Sequence, residues 1–291
     1  MIFKNALLRG TMKIIQTDVI EEKIAKLCID INAKLNPDVL EALQAAEASE
    51  ISETGQGILA LIHQNIDLAQ ERHRPICQDT GMTIVFVKLG QDVHIEGGCL
   101  ENTIQAGVRK GYVEGFLRKS VVADPLLRTN TNDNTPAIIH YQIVEGESLE
   151  ITVMAKGFGS ENTSALKMLK PSDGIEGVKK FVLETISRGA PNACAPIIVG
   201  VGLGGTFEKA ALLSKEALTI PLNRKHPKKH LATLENEILT QGNALGIGPM
   251  GMGGLNTVLG VHILDYPTHI AGLPVAVNLC CYVDRHGKVA I

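Results

Sequence analysis

The chain is 291 residues long, with 28 Lys+Arg against 31 Asp+Glu and a formal charge of -3. That length carries ample core for one large domain or two modest ones, and with 3% aromatics and no Trp the core falls to Ala, Val, Ile and Leu. The near-neutral balance, with no aromatic row beside a basic patch, excludes an electrostatic case for nucleic acid. No run approaches the ~20 apolar residues of a membrane helix, so no membrane partner is expected.

The N-terminal stretch MIFKNALLRGTMKIIQTDVI scatters its charges and lacks the apolar run of a signal peptide, and Met12 serves as well as Met1 for a start. A cytoplasmic protein is expected. Its cysteines, Cys28, Cys77, Cys99, Cys194, Cys280 and Cys281, are then thiols or metal ligands rather than disulfides.

Residues 13–50 read as helical, from the spacing of Ile20, Ile24, Leu27 and Ile31 and from Pro37 opening PDVLEALQAAEASE. GILALIHQNIDLAQER (57–72) predicts an amphipathic helix that delivers the chain to RPICQDTGM. MTIVFVKL is a strand by its β-branched run, and LENTIQAGVRKGYVEGFLRKS is broadly helical. AIIHYQIVEG and LEITVMAK are strands, and the turn residues between them, Glu145 to Ser148, predict a hairpin. GVKKFVLETISRG is a helix stopped by Gly189; IIVGVG is a buried strand; TFEKAALLSKEAL and HPKKHLATLENEILTQGNAL are helices; TVLGVHIL and PVAVNLC are late strands. The fold class that follows is mixed α/β, an α+β arrangement in a single domain spanning 1–291. A helical part (1–72) precedes a mixed α/β part (73–291).

Three glycine loops stand out. GVGLGG (200–205) spells the dinucleotide fingerprint after a strand and before a helix, which keeps an NAD(P) dehydrogenase among the alternatives. The fingerprint also needs an acidic residue ~20 positions on, at the end of a buried strand. Ala217 to Leu234 offers neither, so a tight strand-to-helix turn is the better reading. KGFGSENTS (156–164) offers backbone N–H groups and hydroxyls to an anion, or is a polar turn. GIGPMGMGG (246–254) lacks the Lys-Ser/Thr of a phosphate loop.

PICQDTG, PNACAP and NLCCY each set a cysteine beside an expected strand. They are too far apart in sequence for a local zinc finger, but strand ends can assemble them. Three thiolates would hold a [4Fe–4S] cluster and leave one iron open, able to act as a Lewis acid on a substrate hydroxyl. Buried cysteines as small hydrophobes are the plainer alternative.

RPICQDTG, NTNDNTPA, KGFGSEN with LKMLKPSDG, PNACAP with IIVGVGLGGT, GIGPMGMGG and the THIAGLPVAVN ending occur in this order from about residue 57 to the C-terminus. Together they resemble the α subunit of the two-subunit class I fumarases and the related L-tartrate dehydratases, which are iron–sulfur hydro-lyases. The resemblance implies a [4Fe–4S] cluster on Cys77, Cys194 and one of Cys280 or Cys281. Because the family places a histidine twelve residues before its last ligand and His269 stands twelve before Cys281, Cys281 is the choice. Cys28 then reads as core and Cys99 as structural. The resemblance also implies that Asp79 transfers a proton and that His269 contacts substrate. Gln78 and Arg118 would bind substrate, and Gly157 and Gly159 would bring bare backbone to cluster or substrate. Thr80, Asn130 and Asn132 are weaker candidates. The family's threonine base and further cationic residues lie in a second polypeptide or domain. The expectation is therefore an α subunit active only with a β subunit, with an α–α contact within α2β2. The expected reaction is hydration of fumarate to L-malate, to which the wording of NTNDNTPA and KGFGSENTSALKMLKPSDG leans; dehydration of L(+)-tartrate to oxaloacetate is the alternative. A zinc site on Cys77, Cys194, Cys281 and His269 is a further alternative, and a non-catalytic scaffold is another.

Overall fold

The computed structural model describes residues 12–291, so the expectations for residues 1–11 lie outside the described residues. In chain order the elements begin with β1 (Lys13–Gln16), α1 (Thr17–Ala33), α2 (Pro37–Ser49) and α3 (Glu53–Glu71). Next come β2 (Met82–Gly90), β3 (Val93–Glu96), α4 (Leu100–Glu114), β4 (Ile138–Val144) and β5 (Leu149–Lys156). Then follow α5 (Phe158–Glu161), β6 (Ala165–Leu169), α6 (Gly174–Gly189), β7 (Ile197–Gly204) and α7 (Phe207–Ala217). The chain closes with α8 (Lys229–Asn243), β8 (Val258–Tyr266), β9 (Leu273–Cys280) and β10 (His286–Ala290). The fold is mixed α/β, as the periodicities predict. Local chemistry sets several boundaries: Pro37 takes the first helical position of α2, where its missing N–H costs nothing. Ser52 caps α3 by accepting from the Gly55 N–H, which starts that helix one turn before the expected residue 57.

The described chain forms two interleaved compact units. The first joins the residues up to Ile31 with Met82–Ala155 and His286–Ile291; the second joins Asn32–Gly81 with Lys156–Arg285. The expected helical part is thereby shared out, with most of α1 in the first unit and α2 and α3 in the second.

In the first unit the main sheet runs β10-β5-β2-β4, with β2 and β4 parallel (Val85 opposite Ile139) and β5 and β10 antiparallel (Thr152 opposite Lys288). The expected hairpin is therefore not formed, because β2 lies between β4 and β5. The burial of the strands gives the reason. Val85 and Val87 are fully buried and take the middle, β5 buries Leu149, Ile151 and Val153 beside them, and β4 leaves Ile138, Tyr141 and Ile143 exposed along an edge. Residues 13–16 also depart from the helical expectation: KIIQ pairs in parallel with β3, Ile14 opposite His94. β-Branched Ile14 and Ile15 suit that ladder, and helical spacing begins only beyond it. Ile24 and Cys28 of α1 and Ile104, Val108 and Tyr112 of α4 build the core over the sheet. The two helices touch at Gly111, where a Cβ would lie 2.7 Å from the Ala25 carbonyl oxygen and 2.7 Å from the Cys28 Cβ. The aliphatic side chains among them, Ile24, Ile104 and Val108, each contribute roughly 1.5–3 kcal/mol by leaving water.

The second unit is built on a sheet ordered β6-β9-β7-β8, in which β7 runs parallel to β8 and antiparallel to β9. Val199 and Val201 of β7 pack with Val182 and Ile186 of α6 and with Leu234 and Ile238 of α8. On the other side of β7 lies α7. A Cβ at Gly202 would stand 1.9 Å from the Ala210 carbonyl oxygen. The glycines of GVGLGG are thus accounted for by the close approach of a helix to a strand, the turn reading of that motif.

Candidate active site

Three segments of the second unit carry Cys77, Cys194 and Cys281, and each is anchored by its neighbours. Cys77 follows Ile76, whose N–H donates to the Asn32 carbonyl (2.9 Å) and whose carbonyl accepts from Asn65 Nδ2 (2.9 Å). Cys194 lies between a single 3-10 turn (Ala190–Asn192) and β7 with its backbone in the left-handed region, φ 53°. A non-glycine residue persists there only where its surroundings over-determine it. Those surroundings are the GIGPMGMGG loop: the Met250 N–H donates to the Ala195 carbonyl at 2.8 Å, and Gly251 lies against Pro191. The loop is held in turn by Glu50, a carboxylate with 3% of its residue exposed. It accepts from the N–H groups of Ile51, Ser52, Leu255 and Asn256 and from Asn256 Nδ2, at 3.0–3.1 Å. Burial alone would raise the Glu50 pKa, but these donors outweigh it and hold the carboxyl at about 2. A Cβ at Gly254 would fall 2.7 Å from Glu50 Oε1, so only glycine leaves room for the carboxylate.

Cys281 follows the last residue of β9, and β7 begins just after Cys194. Because β7 and β9 are antiparallel with Ile198 opposite Cys280, both cysteines lie at one end of the sheet. Their sulfurs share an electrostatic environment with Cys77. Although Cys194 is exposed as a residue, partial desolvation raises its thiol, and the charges of Cys281 and Cys77 raise it further. The Tyr282 hydroxyl is likewise raised by burial and then by all three sulfurs. Cys280 is buried and Cys281 half-buried. A hydrogen bond from Cys280 lowers the Cys281 pKa; burial opposes it, and the charges of Arg285 and Lys156 add to the lowering. Cys280 is raised by the same bond and by burial. The structure thus distinguishes the two neighbours: Cys281 is the one inclined to the thiolate and the one whose charge Cys194 and Tyr282 feel.

No three His, Cys, Asp or Glu of the described residues are close enough to hold a single metal ion. Cys194 feels the charges of both Cys281 and Cys77, so the three sulfurs lie near one another, and cysteine thiolates are the donors that an iron–sulfur cluster takes. The zinc alternative also lacks its histidine. His269 lies in the turn before β9, at the opposite end from Cys281, and eight strand residues separate them by roughly 25 Å. His269 is exposed, accepts the Ala271 N–H at Nδ1 (3.2 Å), and borders an apolar cavity of about 400 Å³ lined by Ile175, Val178, Leu203, Leu231 and Leu273.

Asp79 is closely held. Oδ1 accepts from the Gly81 N–H (3.0 Å) and Oδ2 from the Phe158 N–H (2.9 Å). The second bond joins the two motifs RPICQDTGM and KGFGSEN. Gln78 is exposed and its Oε1 accepts from the Cys77 thiol at 3.5 Å. Thr80 is buried. A Cβ at Gly157 would meet Arg285 Nη2 at 3.2 Å and Asp79 Oδ2 at 3.3 Å, so the glycine is needed by the protein's own side chains. A Cβ at Gly159 would meet no protein atom within 4 Å, so nothing in the chain itself requires glycine there. Arg118, Asn130 and Asn132 belong to the first unit. Arg118 is exposed, and Asn130 organises its own loop, donating to the Lys119 carbonyl (2.9 Å) and accepting from the Asn132 N–H (2.6 Å). Cys28 is buried core, while Cys99 is exposed just before α4 rather than packed.

Two buried cations escaped the sequence reading. Lys156, 1% exposed, donates to Ser160 Oγ (2.7 Å) and to the Gly157 carbonyl (3.3 Å) and pairs with Glu161 (3.4 Å), so KGFGSE folds around the ammonium of its own lysine. Glu161 also pairs with Lys215 and accepts from Asn278 Nδ2 (3.2 Å). Arg285, 2% exposed, follows the third cysteine segment. Neither had a signal beyond being a charge next to a motif.

Comparison with known proteins gives the same direction. The chain matches the family described as fumarate hydratase (Fumerase) over residues 21–290. It is 43% identical over 272 residues to the "Putative L(+)-tartrate dehydratase subunit alpha" of Methanocaldococcus jannaschii, covering 91% of this chain and 95% of that protein. It is 35% identical over 274 residues to the "L(+)-tartrate dehydratase subunit alpha" of Escherichia coli (strain K12), covering 93% and 90%. Those two relatives and the family span nearly all of the three cysteine segments and glycine loops just described, and the chain belongs to the fumarate hydratase (Fumerase) family of hydro-lyases.

Proposed function

We propose that this chain is the α subunit of a hydro-lyase that interconverts fumarate and L-malate together with a β subunit, with a [4Fe–4S] cluster on Cys77, Cys194 and Cys281. The observation that carries the reading is that the β7–β9 register brings Cys194 and Cys281 to one end of a sheet, in the unit that holds Cys77 and Asp79, and that the charges of Cys77 and Cys281 both reach Cys194. A cluster bound there supplies a Lewis-acidic iron at the substrate hydroxyl, which hydroxide needs because it is a poor leaving group.

The remaining work belongs to the chain. Asp79 is fixed at both carboxylate oxygens by backbone donors, so its orientation is set before substrate arrives. In this reading it passes a proton to the departing hydroxyl and takes one back in the reverse direction. Gln78, exposed next to Cys77, donates its amide N–H groups to a substrate carboxylate. The proton on the adjacent carbon is removed by a base of the β subunit. Both relatives named above are called subunits, which supports a partner of that kind. Gly157 and Gly159 are assigned to backbone contact with substrate, and His269 to a substrate contact that this chain does not bring to its own cysteines.

A second reading, dehydration of L(+)-tartrate to oxaloacetate, is favoured by the names of the same relatives. It differs by one substrate hydroxyl. The test is anaerobic co-purification with the β subunit, iron and sulfide analysis, and parallel assays of fumarate hydration and L(+)-tartrate dehydration. Bound iron with faster turnover of fumarate supports the first reading, and faster turnover of L(+)-tartrate supports the second. Full activity after Cys77→Ala, Cys194→Ala or Cys281→Ala removes both.

A further inference from the structure

Arg285 is an unusual buried group. Its Nη1 donates to the main-chain carbonyl of Asp79 (2.5 Å) and to Asn32 Oδ1 (3.1 Å), both neutral oxygens. Its Nε is buried and has no hydrogen-bond partner among the described residues. Its Nη2 sits 3.2 Å from the point where a Cβ of Gly157 would be, and Asp79 Oδ2 sits 3.3 Å from that point. A buried cation with an unmet donor costs several kcal/mol, and an apolar side chain of similar volume often folds as well or better. Lys156 is different, because its own loop satisfies it with a carboxylate, a hydroxyl and a carbonyl. Both Arg285 contacts bridge more than two hundred residues of sequence: one ends on the loop that carries Cys77 and Asp79, the other on Asn32, whose carbonyl in turn accepts the N–H of Ile76 just before that loop.

We propose that Arg285 is a positioning residue: it ties the Cys77–Gly81 loop to the segment that carries Cys281, so that Asp79 and the sulfurs are held as one body. The inference rests on the assignment of Asp79 as the proton-transfer group. Arg285 makes the tie through the main chain of Asp79, so the carboxylate stays free to face Gly81, Phe158 and substrate. Gly157 belongs to the same device, because any larger residue would push the guanidinium and the carboxylate apart.

The test has two arms. In the first, amide hydrogen exchange is measured on the full chain alone, for wild type and Arg285→Met. Loss of a hydrogen bond of ordinary strength predicts exchange about tenfold faster in residues 77–81. Residues 248–256, pinned by Glu50, stay unchanged. In the second arm, the same variants are assayed with the β subunit. A displacement of about 1 Å predicts kcat lower by ~100-fold with KM within about twofold. Arg285→Lys, which keeps the charge without the planar fork, lies between the two in both arms. If Arg285→Met fails to accumulate as folded protein, Arg285→Lys carries both measurements. Unchanged exchange in 77–81, an equal rise in 248–256, or a loosened loop with normal kcat would each overturn the proposal. The exchange arm needs neither cofactor nor partner, so a wild-type enzyme inactive on both substrates would remove the functional reading while the tie stays measurable.

Discussion

The two units bury very different things. In the first, the buried polar residues among those described are Thr83, Thr103, Asn134 and Thr135, none of which ionises in the ordinary pH range. The second buries Glu50, Lys156, Glu235, His262, Asp284 and Arg285. Burying an ionisable group costs free energy unless hydrogen bonds or an opposite charge compensate it. A fold that needed only stability would therefore avoid so many in one unit. The first unit shows how: its core is aliphatic, and glycine lets α1 and α4 close on each other. In the second unit two of these charges, Lys156 and Arg285, lie close to the segments that carry Asp79 and Cys281, and perturbed groups of that kind are expected to collect at an enzyme's site.

The most severe way to break this contrast is at the cysteines. Cys194→Ala removes no large buried surface, because Cys194 is exposed. We expect activity with the β subunit to fall at least about 100-fold and iron content to drop, with the melting temperature little changed. A variant that kept its iron and its rate would make the second unit as purely structural as the first. Next in size is Glu50. Its pKa is held at about 2, below its ordinary 4.5, so its contribution is fully present above about pH 4.5 and is lost as pH falls toward 2. Glu50→Gln should cost on the order of 3 kcal/mol at neutral pH, and urea titrations of the two proteins should converge near pH 2. A constant gap across that range would show that the carboxylate's charge is not what holds the GIGPMGMGG loop.

Smaller again is an overpacking test of the first unit. Gly111→Val should destabilise by roughly 1–3 kcal/mol through collision with Ala25 and Cys28, without altering substrate kinetics beyond the loss of folded protein. A change in KM would mean that the first unit takes part in more than support. The smallest effect is expected at Arg109, which pairs with Asp133 at 2.7 Å on the surface. That carboxyl is held at about 2: burial opposes the lowering, and Arg109 and Thr135 outweigh it. The pair is half open to water, so Arg109→Ala should cost under about 1 kcal/mol and less in high salt.

Much of this was legible in the chain, where local rules suffice. The helices at 57–72, 174–189 and 229–243 follow from spacing and from Gly or Pro at their ends. The strands at 82–90 and 197–204 follow from β-branched runs. Short elements such as KIIQ and HGKVA were not legible, because four or five residues carry too little periodicity and exist only through their partners. The hairpin expected around Glu145 to Ser148 failed for a related reason. Turn residues specify a reversal of the chain, but not which strand fills the space beside it. At the site, the cysteine motifs singled out Cys77, Cys194 and the Cys280–Cys281 pair; Cys281 was chosen over its neighbour by its spacing of twelve residues from His269, which lies at the other end of β9.

The sequence by itself determined the types of the longer elements, the family and the three thiol-bearing segments, since each depends on neighbours within a few positions or on ordered motifs. Only the tertiary structure decided which strand lies between β4 and β5, which of Cys280 and Cys281 is inclined to the thiolate, and which groups Glu50, Lys156 and Arg285 meet where they are buried. Those outcomes depend on register and on charges and their partners brought together by the fold, across more than two hundred residues for Glu50 and Arg285. Desolvation sets the strength of those charges, and no sequence spacing encodes it.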